Sequence, residues 1–210
     1  MSTFNWDSCV EAISEEWIDW LSNWRGYSPC FVRWLWEQKL IGLQGDKIAI
    51  PIHDASGAVI ACHARQDDNS WRVDPGGIKM RPLLLGDLPT AKRYFVFESQ
   101  WDAFAFMDKL DWHAAGFMSN NSAVIITRGA GNGKKVDGLC KPDGLAFVFP
   151  QNDELKEGET KTPAEKWLVV VKKNVGCRVA VVLTPEGIKD LNDWSKDGLT
   201  RGKIIHATMT

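Results

Sequence analysis

Acidic side chains follow three apolar segments in the second half of the chain, at the point where each segment ends. They are Glu98 and Asp102 after 94–97, Asp153 after 145–149, and Asp190 and Asp193 after 178–183. If these segments are parallel strands, their carboxyl ends meet at one edge of a sheet and the carboxylates converge. Converging carboxylates repel one another, and oxygen ligands with few other donors favour Mg²⁺ or Mn²⁺ over Zn²⁺. The pattern predicts such a metal site, although each carboxylate taken alone could equally be a helix cap or a surface charge.

A glycine-rich segment at residues 128–135 follows a further apolar segment of the same region. Its backbone N–H groups and its two lysines, Lys134 and Lys135, suit a phosphate group. The segment is not an ATPase P-loop, which requires G-x-x-x-x-G-K-[ST]. Gly129 and Gly133 are one residue too close together, and Lys135 stands where Ser or Thr is needed. The sequence therefore predicts phosphate contacts without the P-loop of ATP hydrolysis.

The elements that position these residues alternate between strand and helix from residue 93 onward. The predicted strands are 94–97, 123–127, 145–149 and 178–183, and the predicted helices are 100–110, 163–174 and 191–196. Continuous apolar strands separated by helices are typical of a parallel sheet that is covered on both faces. Upstream, 47–54 and 58–65 flank a turn and predict a hairpin, in which Pro51 favours an edge or irregular strand. Residues 66–92 are polar and glycine-containing apart from an apolar run at 82–85.

The amino-terminal segment predicts two helices. Ser8 and Glu11 form a capping box, and apolar residues from Val10 to Trp24 then follow helical spacing. Ser28 and Pro29 suit the N-cap and first turn of a second helix, which Gly42 can close. We therefore expect an α/β fold, in which a small α+β region at 1–90 precedes a parallel-sheet domain at 91–210.

Charge excludes a wholly basic nucleic-acid coat but leaves room for local basic patches. The 210 residues contain 25 Lys+Arg and 27 Asp+Glu, which gives a net charge of −2. Residues 1–46 carry three Lys or Arg against seven Asp or Glu, so this helical segment should repel phosphate. Residues 61–95 and 128–141 are net positive. We expect single-stranded nucleic acid to bind the two basic segments and to avoid the tryptophan-rich helices, whose tryptophans predict a core or a protein contact.

Cysteine usage and hydropathy bear on location. The five cysteines are scattered without a C-x-x-C pair, which predicts reduced thiols in a cytoplasm rather than a zinc site. No stretch approaches the ~18 apolar residues of a membrane span, and the first residues lack the features of a secretion signal.

Three motifs in this order resemble the TOPRIM domains of bacterial replicative primases, topoisomerases and some nucleases. Residues 97–103 read F-E-S-Q-W-D-A and resemble the family's E-G-x-x-D-A motif. Residues 149–153 occupy the place of its D-x-D motif, and 183–194 resemble the closing motif of primase-type members. The hairpin upstream is similar to the segment that precedes TOPRIM in primases of phages and mobile elements. The resemblance implies a Rossmann-like sheet and nucleotidyl transfer on a single-stranded DNA or RNA template.

The resemblance also implies roles for individual residues. Glu98 would act as a general base or metal ligand, and Asp102 would orient the site. The metal would be held by Glu98, Asp153, Asp190 and Asp193, with support from Gln151, Lys189 and Asn192. Arg65 and Lys79 resemble the family's basic positions that contact template or nucleotide, and a replicative helicase is an expected partner. Lys134 and Lys135 complete the expected nucleic-acid contacts, because the glycine-rich segment that carries them suits phosphate.

Two departures from the family pattern keep other functions open. Ser99 replaces the family's glycine, and Gln151 replaces the first aspartate of D-x-D, which removes one negative charge from the metal site. A primase-type enzyme is therefore the leading hypothesis. The alternatives are a metal-dependent nuclease on the same fold and a catalytically degraded domain that binds nucleic acid or a replication partner.

Overall fold

The computed structural model describes residues 4–114, 121–155 and 157–209, with the exception of the Met209 side chain. The chain divides into two compact units, Met1–Leu83 and Leu84–Thr210. The boundary expected from the sequence, between residues 90 and 91, lies slightly further along the chain. In the described residues no helix is both long and apolar enough to cross a membrane.

The first unit begins with three helices rather than the two expected. They are α1 (Trp6–Glu11), α2 (Glu15–Arg25) and α3 (Pro29–Glu37). The prediction of one helix from the capping box to Trp24 is wrong, because the chain leaves helical geometry after Glu11 and restarts beyond Ser14. Asn5 rather than Ser8 caps α1, since its side chain accepts a hydrogen bond from the backbone N–H of Ser8.

The start of helix α3 is confirmed and its predicted end is wrong. The Ser28 hydroxyl accepts a hydrogen bond from the backbone N–H of Phe31, and Pro29 occupies the first turn. The helix stops at Glu37, however, and Gly42 instead begins the first strand of the unit. Gly42 has no room for a side chain, because a Cβ there would lie 2.7 Å from the Trp6 ring.

A four-stranded antiparallel sheet completes the first unit. Its strands, in spatial order, are β1 (Gly42–Gln44), β2 (Lys47–His53), β3 (Val59–Arg65) and β4 (Trp71–Asp74). The hairpin is confirmed as β2 and β3, but β2 is an inner strand. It tolerates Pro51 because short β1 pairs only with 47–49, and the register shifts between Ile52 and His53. Strand β4 lies where the sequence pattern predicts no strand.

The second unit is built on a five-stranded sheet with the order β5-β7-β6-β8-β9. Its strands are β5 (Leu83–Gly86), β6 (Arg93–Phe97), β7 (Ser122–Ile126), β8 (Leu145–Phe149) and β9 (Arg178–Val181). Strand β6 pairs in parallel with β7 and β8, and β8 pairs in parallel with β9. The parallel α/β fold is therefore confirmed, and β5 is an additional edge strand formed by the apolar run at 82–85.

Helices cover both faces of this sheet. They are α4 (Gln100–Lys109), α5 (Pro163–Asn174), α6 (Leu191–Lys196) and α7 (Arg201–Met209), with 3-10 turns at Trp112–Ala114 and Ala130–Val136. Side chains alternate across β6, so Tyr94 and Val96 join Trp167 of α5 in one buried cluster. Phe95 and Phe97 point the other way and contact Phe106 of α4. Two covered faces leave the strand ends as the place where polar groups can collect.

Candidate active site

Glu98 stands directly after strand β6, where the aromatic core ends. Its side chain is buried, at 9% exposure, although a carboxylate is among the groups most costly to bury. The next loop holds it through the backbone, because Gly129 N–H donates to the Glu98 carbonyl at 3.0 Å and Ala130 N–H donates to its carboxylate. The other carboxylate oxygen, Oε2, has no hydrogen-bond partner among the described residues. No hydrogen bond offsets the burial of that oxygen.

The surroundings of Glu98 favour its protonated form. Burial and, to a smaller extent, the negative charge of Asp153 raise the pKa of Glu98 to about 7, against the opposing hydrogen bond from Ala130. A carboxylic acid with this pKa can exchange a proton near neutral pH. Removing the proton in the absence of a cation leaves a buried negative charge that Ala130 compensates only in part.

Asp102 lies one turn further on, in the first turn of helix α4, and is 3% exposed. Both of its oxygens are occupied: Oδ2 accepts from Gln151 Nε2 at 2.9 Å, and Oδ1 accepts from the Asn192 backbone N–H at 3.1 Å. Burial and then the charge of Asp190 raise the pKa of Asp102, while these hydrogen bonds lower it. The Asp102 carboxylate thus ties the loop after β8 and the start of α6 to helix α4.

The loop after β8 and the loop before α6 are joined directly, since Asn152 N–H donates to the Lys189 carbonyl at 2.6 Å. Asp153 Oδ2 accepts from the Ala164 N–H at 3.2 Å, which places its negative charge at the positive end of helix α5. Asp190 caps helix α6 and accepts from the Asp193 N–H at 2.8 Å. Each of these carboxylates therefore has a capping role, the alternative that the sequence left open.

A groove of about 900 Å³ opens at these joined loops. Its lining residues are Asn152, Asp153, Glu154, Leu155, Pro163, Gly187, Ile188 and Lys189. The side chains of Leu155 and Lys189 are exposed, so the groove offers an apolar and a cationic contact beside Asp153. A cleft of this size can hold a ligand as large as a nucleotide.

The structure brings most of the predicted acidic residues together. The negative charge of Asp153 acts on Glu98, and those of Asp190 and Glu98 act on Asp102. Gln151 and Asn192 bond to Asp102. Asp193 is exposed on α6. In the described ranges no group of three or more His, Cys, Asp or Glu side chains is arranged to hold a metal ion.

The predicted basic residues lie in different places. Lys134 and Lys135 belong to the 3-10 turn that starts beside Glu98, and Lys134 is exposed. Lys79 is exposed in the first unit. Arg65 ends strand β3, where its guanidinium donates to Asn69 Oδ1 at 2.8 Å.

Two features beside Glu98 were not predicted from the sequence. The first is the backbone of 129–130, whose N–H groups hold Glu98 in addition to the phosphate contacts that the glycine-rich segment predicts. The second is Arg128, which is 5% exposed and adopts a left-handed backbone with φ of 63°. Non-glycine residues rarely adopt this conformation, which here turns the chain sharply from β7 towards Glu98. Ser99 proves to be an N-cap, since its hydroxyl accepts from the Trp101 N–H at 3.1 Å.

Comparison with solved structures reveals the fold. The primase fragment of the bacteriophage T7 primase-helicase protein matches with a TM-score of 0.60 and 15% identity over 89% of this chain and 72% of that chain. Primase domains of the T7 protein, in a complex with lagging-strand DNA polymerase, an RNA/DNA hybrid and dTTP, match with a TM-score of 0.58 and 17% identity over 90% and 89%. The catalytic domain of DnaG primase bound to ssDNA matches with a TM-score of 0.57 and 12% identity over 95% and 73%.

This chain has the fold of DNA primase catalytic domains. The matches span both units, so the antiparallel sheet and the parallel sheet both belong to the shared architecture. No protein-family model matches the sequence, and a search of curated proteins likewise gives no match.

Proposed function

We propose that this chain is a TOPRIM primase-type enzyme, which joins nucleotides on a single-stranded template with the help of Mg²⁺ or Mn²⁺. The observation that carries the proposal is Glu98: a buried carboxylate at the end of β6, with one oxygen lacking a hydrogen-bond partner in the described structure and a pKa of about 7. The fold it shares with primase domains, one of them bound to ssDNA, supports the same function.

The donor set fits a hard cation. Mg²⁺ is usually held by one or two carboxylates while it keeps several waters and binds substrate phosphates. Glu98 and Asp153 supply such a pair, since the charge of Asp153 acts on Glu98 and Glu98 has an oxygen to spare. Asp190 lies near enough to affect Asp102 and would be a third, more distant contributor.

The residues of the site would then have different roles in nucleotidyl transfer. A bound Mg²⁺ would neutralise the charge that develops on a phosphoryl group during transfer. Glu98 would hold the cation or accept the proton of the attacking hydroxyl through Oε2, the oxygen that has no hydrogen-bond partner in the described structure. Lys189 in the groove wall would contact phosphate, and Asp102 would position Gln151 and the start of α6 without contacting substrate.

A primer-synthesis assay tests the proposal. The full chain is incubated with single-stranded DNA and labelled ribonucleotides or deoxyribonucleotides, with Mg²⁺, with Mn²⁺ or with neither. We expect template-dependent labelled products that require the metal. Shortened template would indicate a nuclease instead, and retarded but unaltered template would indicate binding alone.

The nucleic-acid contacts can be tested separately through the salt dependence of binding. Replacing Arg65, Lys79, Lys134 and Lys135 with Ala should weaken binding to oligo(dT), and each lost phosphate contact should reduce the log–log salt slope by about 0.7. The control replaces Arg33 and Lys39, which are already paired with Glu15 and Asp7, and should leave the slope unchanged. A larger effect of the control pair would place the nucleic acid on the helices.

A binding module without catalysis is the second candidate, because Gln151 favours it. Its amide is engaged with Asp102, and it brings no charge to the position of the D-x-D motif. Under this alternative the metal and nucleotide requirements disappear while binding of single strands persists. A helicase partner, a phage or mobile-element origin and a cytoplasmic location stay predictions from the sequence.

A further inference from the structure

A row of aromatic and guanidinium groups runs through the first unit from helix α2 to strands β3 and β4. Trp17 and Trp20 meet edge-on at 76° with ring centroids 4.8 Å apart, and Trp20 stacks on Trp24 at 4.7 Å. Their spacing of three and four residues places them on one side of α2. Beyond Trp24, the guanidinium of Arg65 lies 5.3 Å from the Trp24 ring and 5.9 Å from the Trp71 ring.

Cations of the chain itself already occupy the inner part of this row. The Arg25 guanidinium sits 3.7 Å from the centre of the Trp24 ring, and Arg65 is held between Trp24 and Trp71 by its hydrogen bond to Asn69. An indole face attracts a cation because its π electrons carry partial negative charge. The inner tryptophans are therefore supplied with cations from within the molecule.

The outer end of the row, formed by Trp17 and Trp20, has no cation of the described chain over its rings. Glu16, Trp17 and Trp20 line a pocket of about 280 Å³, and Trp20 is 44% exposed. Across the described part of the chain, no ion pair involves Glu16 and no Lys or Arg lies over the Trp17 or Trp20 ring. Two indoles at a steep angle beside a carboxylate are the groups that bind an organic cation.

The charge around this pocket selects between possible occupants. Residues 1–46 hold three cations, and all three are engaged: Arg33 with Glu15 at 2.5 Å, Lys39 with Asp7 at 2.8 Å, and Arg25 on Trp24. Glu16 and the exposed Asp19 thus leave a negative field at the pocket. This field attracts a cationic side chain and repels the phosphates that accompany a nucleic-acid base.

We propose that the pocket formed by Glu16, Trp17 and Trp20 binds a lysine or arginine side chain from a basic segment of a protein partner. The cation would lie against the two indoles and pair with the Glu16 carboxylate, as Arg25 and Arg65 already lie against the inner tryptophans. The site is in the first unit and does not involve the carboxylates at the strand ends, so its test is independent of the proposed enzymatic function.

Nuclear magnetic resonance of the full ¹⁵N-labelled chain tests this site. The probes are capped hexapeptides of alternating serine and lysine, serine and arginine, or serine and glutamate, together with hexadeoxythymidylate. We expect the lysine and arginine peptides to shift the indole N–H signals of Trp17 and Trp20 and to leave that of buried Trp167 in place. The glutamate peptide and the oligonucleotide should shift none of them. If no cationic peptide shifts these signals at millimolar concentration, or if the oligonucleotide does, the proposal is wrong.

Two variants and a matched control separate the pocket from general attraction between charges. Glu16→Gln should weaken binding of the lysine peptide about two- to fivefold, and Trp20→Ala should remove the shift at Trp17. Glu11→Gln removes the same charge from an exposed position on α1 and should leave the affinity unchanged. Equal weakening by Glu11→Gln would overturn the proposal. Should Trp20→Ala impair folding, Glu16→Gln still decides, because Glu16 is exposed.

Discussion

The end of strand β6 and the first turn of helix α4 each bury a carboxylate, but the two carboxylates differ in their hydrogen bonds. Asp102 on the helix has a partner for each oxygen and joins two loops to the core. Glu98 at the strand end keeps one oxygen without a partner in the described structure. Burial raises the pKa of both groups, so a raised pKa alone does not distinguish a reactive group from a structural one. The hydrogen bonds do distinguish them, because both oxygens of Asp102 are bonded and one oxygen of Glu98 is not, which is the basis for proposing Glu98 as the reactive group.

The largest expected effect is the loss of primer-synthesis activity when Glu98, rather than Asp102, is replaced. Glu98→Gln removes the proposed proton acceptor and metal ligand while it keeps the side-chain shape, so the proposed primer synthesis should fall by about 10²- to 10⁴-fold. Glu157→Gln, an exposed position in the loop before α5, is the matched control and should retain activity within about twofold. Retained synthesis in Glu98→Gln would remove Glu98 from the mechanism.

The second prediction concerns the stability of the metal-free protein as pH changes. The pKa of Glu98 is about 7 in the folded chain and 4.5 in its ordinary state, so the stability that it contributes is fully present below pH 4.5. That stability is lost as the pH rises through 7, and the loss is on the order of 3 kcal/mol.

Subtracting the unfolding free energy of Glu98→Gln from that of the wild type isolates this contribution, because other groups titrate alike in both. The difference should fall between pH 4.5 and 8 in urea denaturation experiments and should flatten when Mn²⁺ is added. A difference that stays constant with pH would show that the Glu98 pKa is ordinary.

For Asp102 we expect substitutions to lower the free energy of unfolding, because its carboxylate holds two other segments in place. Asp102→Ala leaves the Gln151 amide and the Asn192 N–H without their acceptor, which should cost about 2 kcal/mol of unfolding free energy. Asp102→Asn keeps an acceptor for Asn192 and removes a buried charge, so its stability should lie within about 1 kcal/mol of the wild type. Asp193→Ala on exposed α6 is the control and should change stability by less than about 0.5 kcal/mol. Equal costs for the Ala and Asn variants would argue against the framework role.

The smallest effect is expected at Gln151, where the two regions meet. Gln151→Asp replaces a hydrogen-bond donor to Asp102 with a second carboxylate, so the metal-free protein should lose about 1–2 kcal/mol of stability. The same change adds a charged oxygen ligand and should tighten Mn²⁺ binding. Calorimetric titration and melting with and without Mn²⁺ measure both, and Asn23→Asp at an exposed position on α2 is the control. Unchanged Mn²⁺ affinity would mean that Gln151 does not occupy the D-x-D position.

The position of the acidic residues at the strand ends was predictable because its signals are local. An apolar run of four to six residues marks a buried strand, and the next polar residue must then lie at the sheet edge. Local pattern alone therefore suffices to place Glu98, Asp153 and Asp190 at one edge. Strands β4 and β5 were not predicted from the sequence, because each has only four residues in a stretch that is otherwise polar and glycine-containing. Pairing with β3 and β7 forms them, and pairing is a tertiary property.

Helix boundaries likewise divide into those set by local sequence and those set by tertiary packing. Ser28 with Pro29 marked the start of α3, because a cap acts on its own next three residues. The break between α1 and α2 carries a weaker signal, because Ser14 at the N-cap of α2 makes no side-chain capping hydrogen bond. The helical spacing of apolar residues continues across 12–14, and the packing of Trp6, Cys9 and Val10 with strands β2 and β3 separates the two helices.

The amino-acid sequence by itself determined which residues reach the strand ends, since strand length, side-chain alternation and capping act over a few residues. Only the tertiary structure decided which of the buried carboxylates is left with an unused oxygen. The partners of Asp102 come from Gln151 and Asn192, 49 and 90 residues away in the chain. No local pattern records contacts at that separation. The tertiary structure also decided which tryptophans face solvent, because Trp6 is buried by packing against residues of β2 and β3, whereas Trp20 stays 44% exposed.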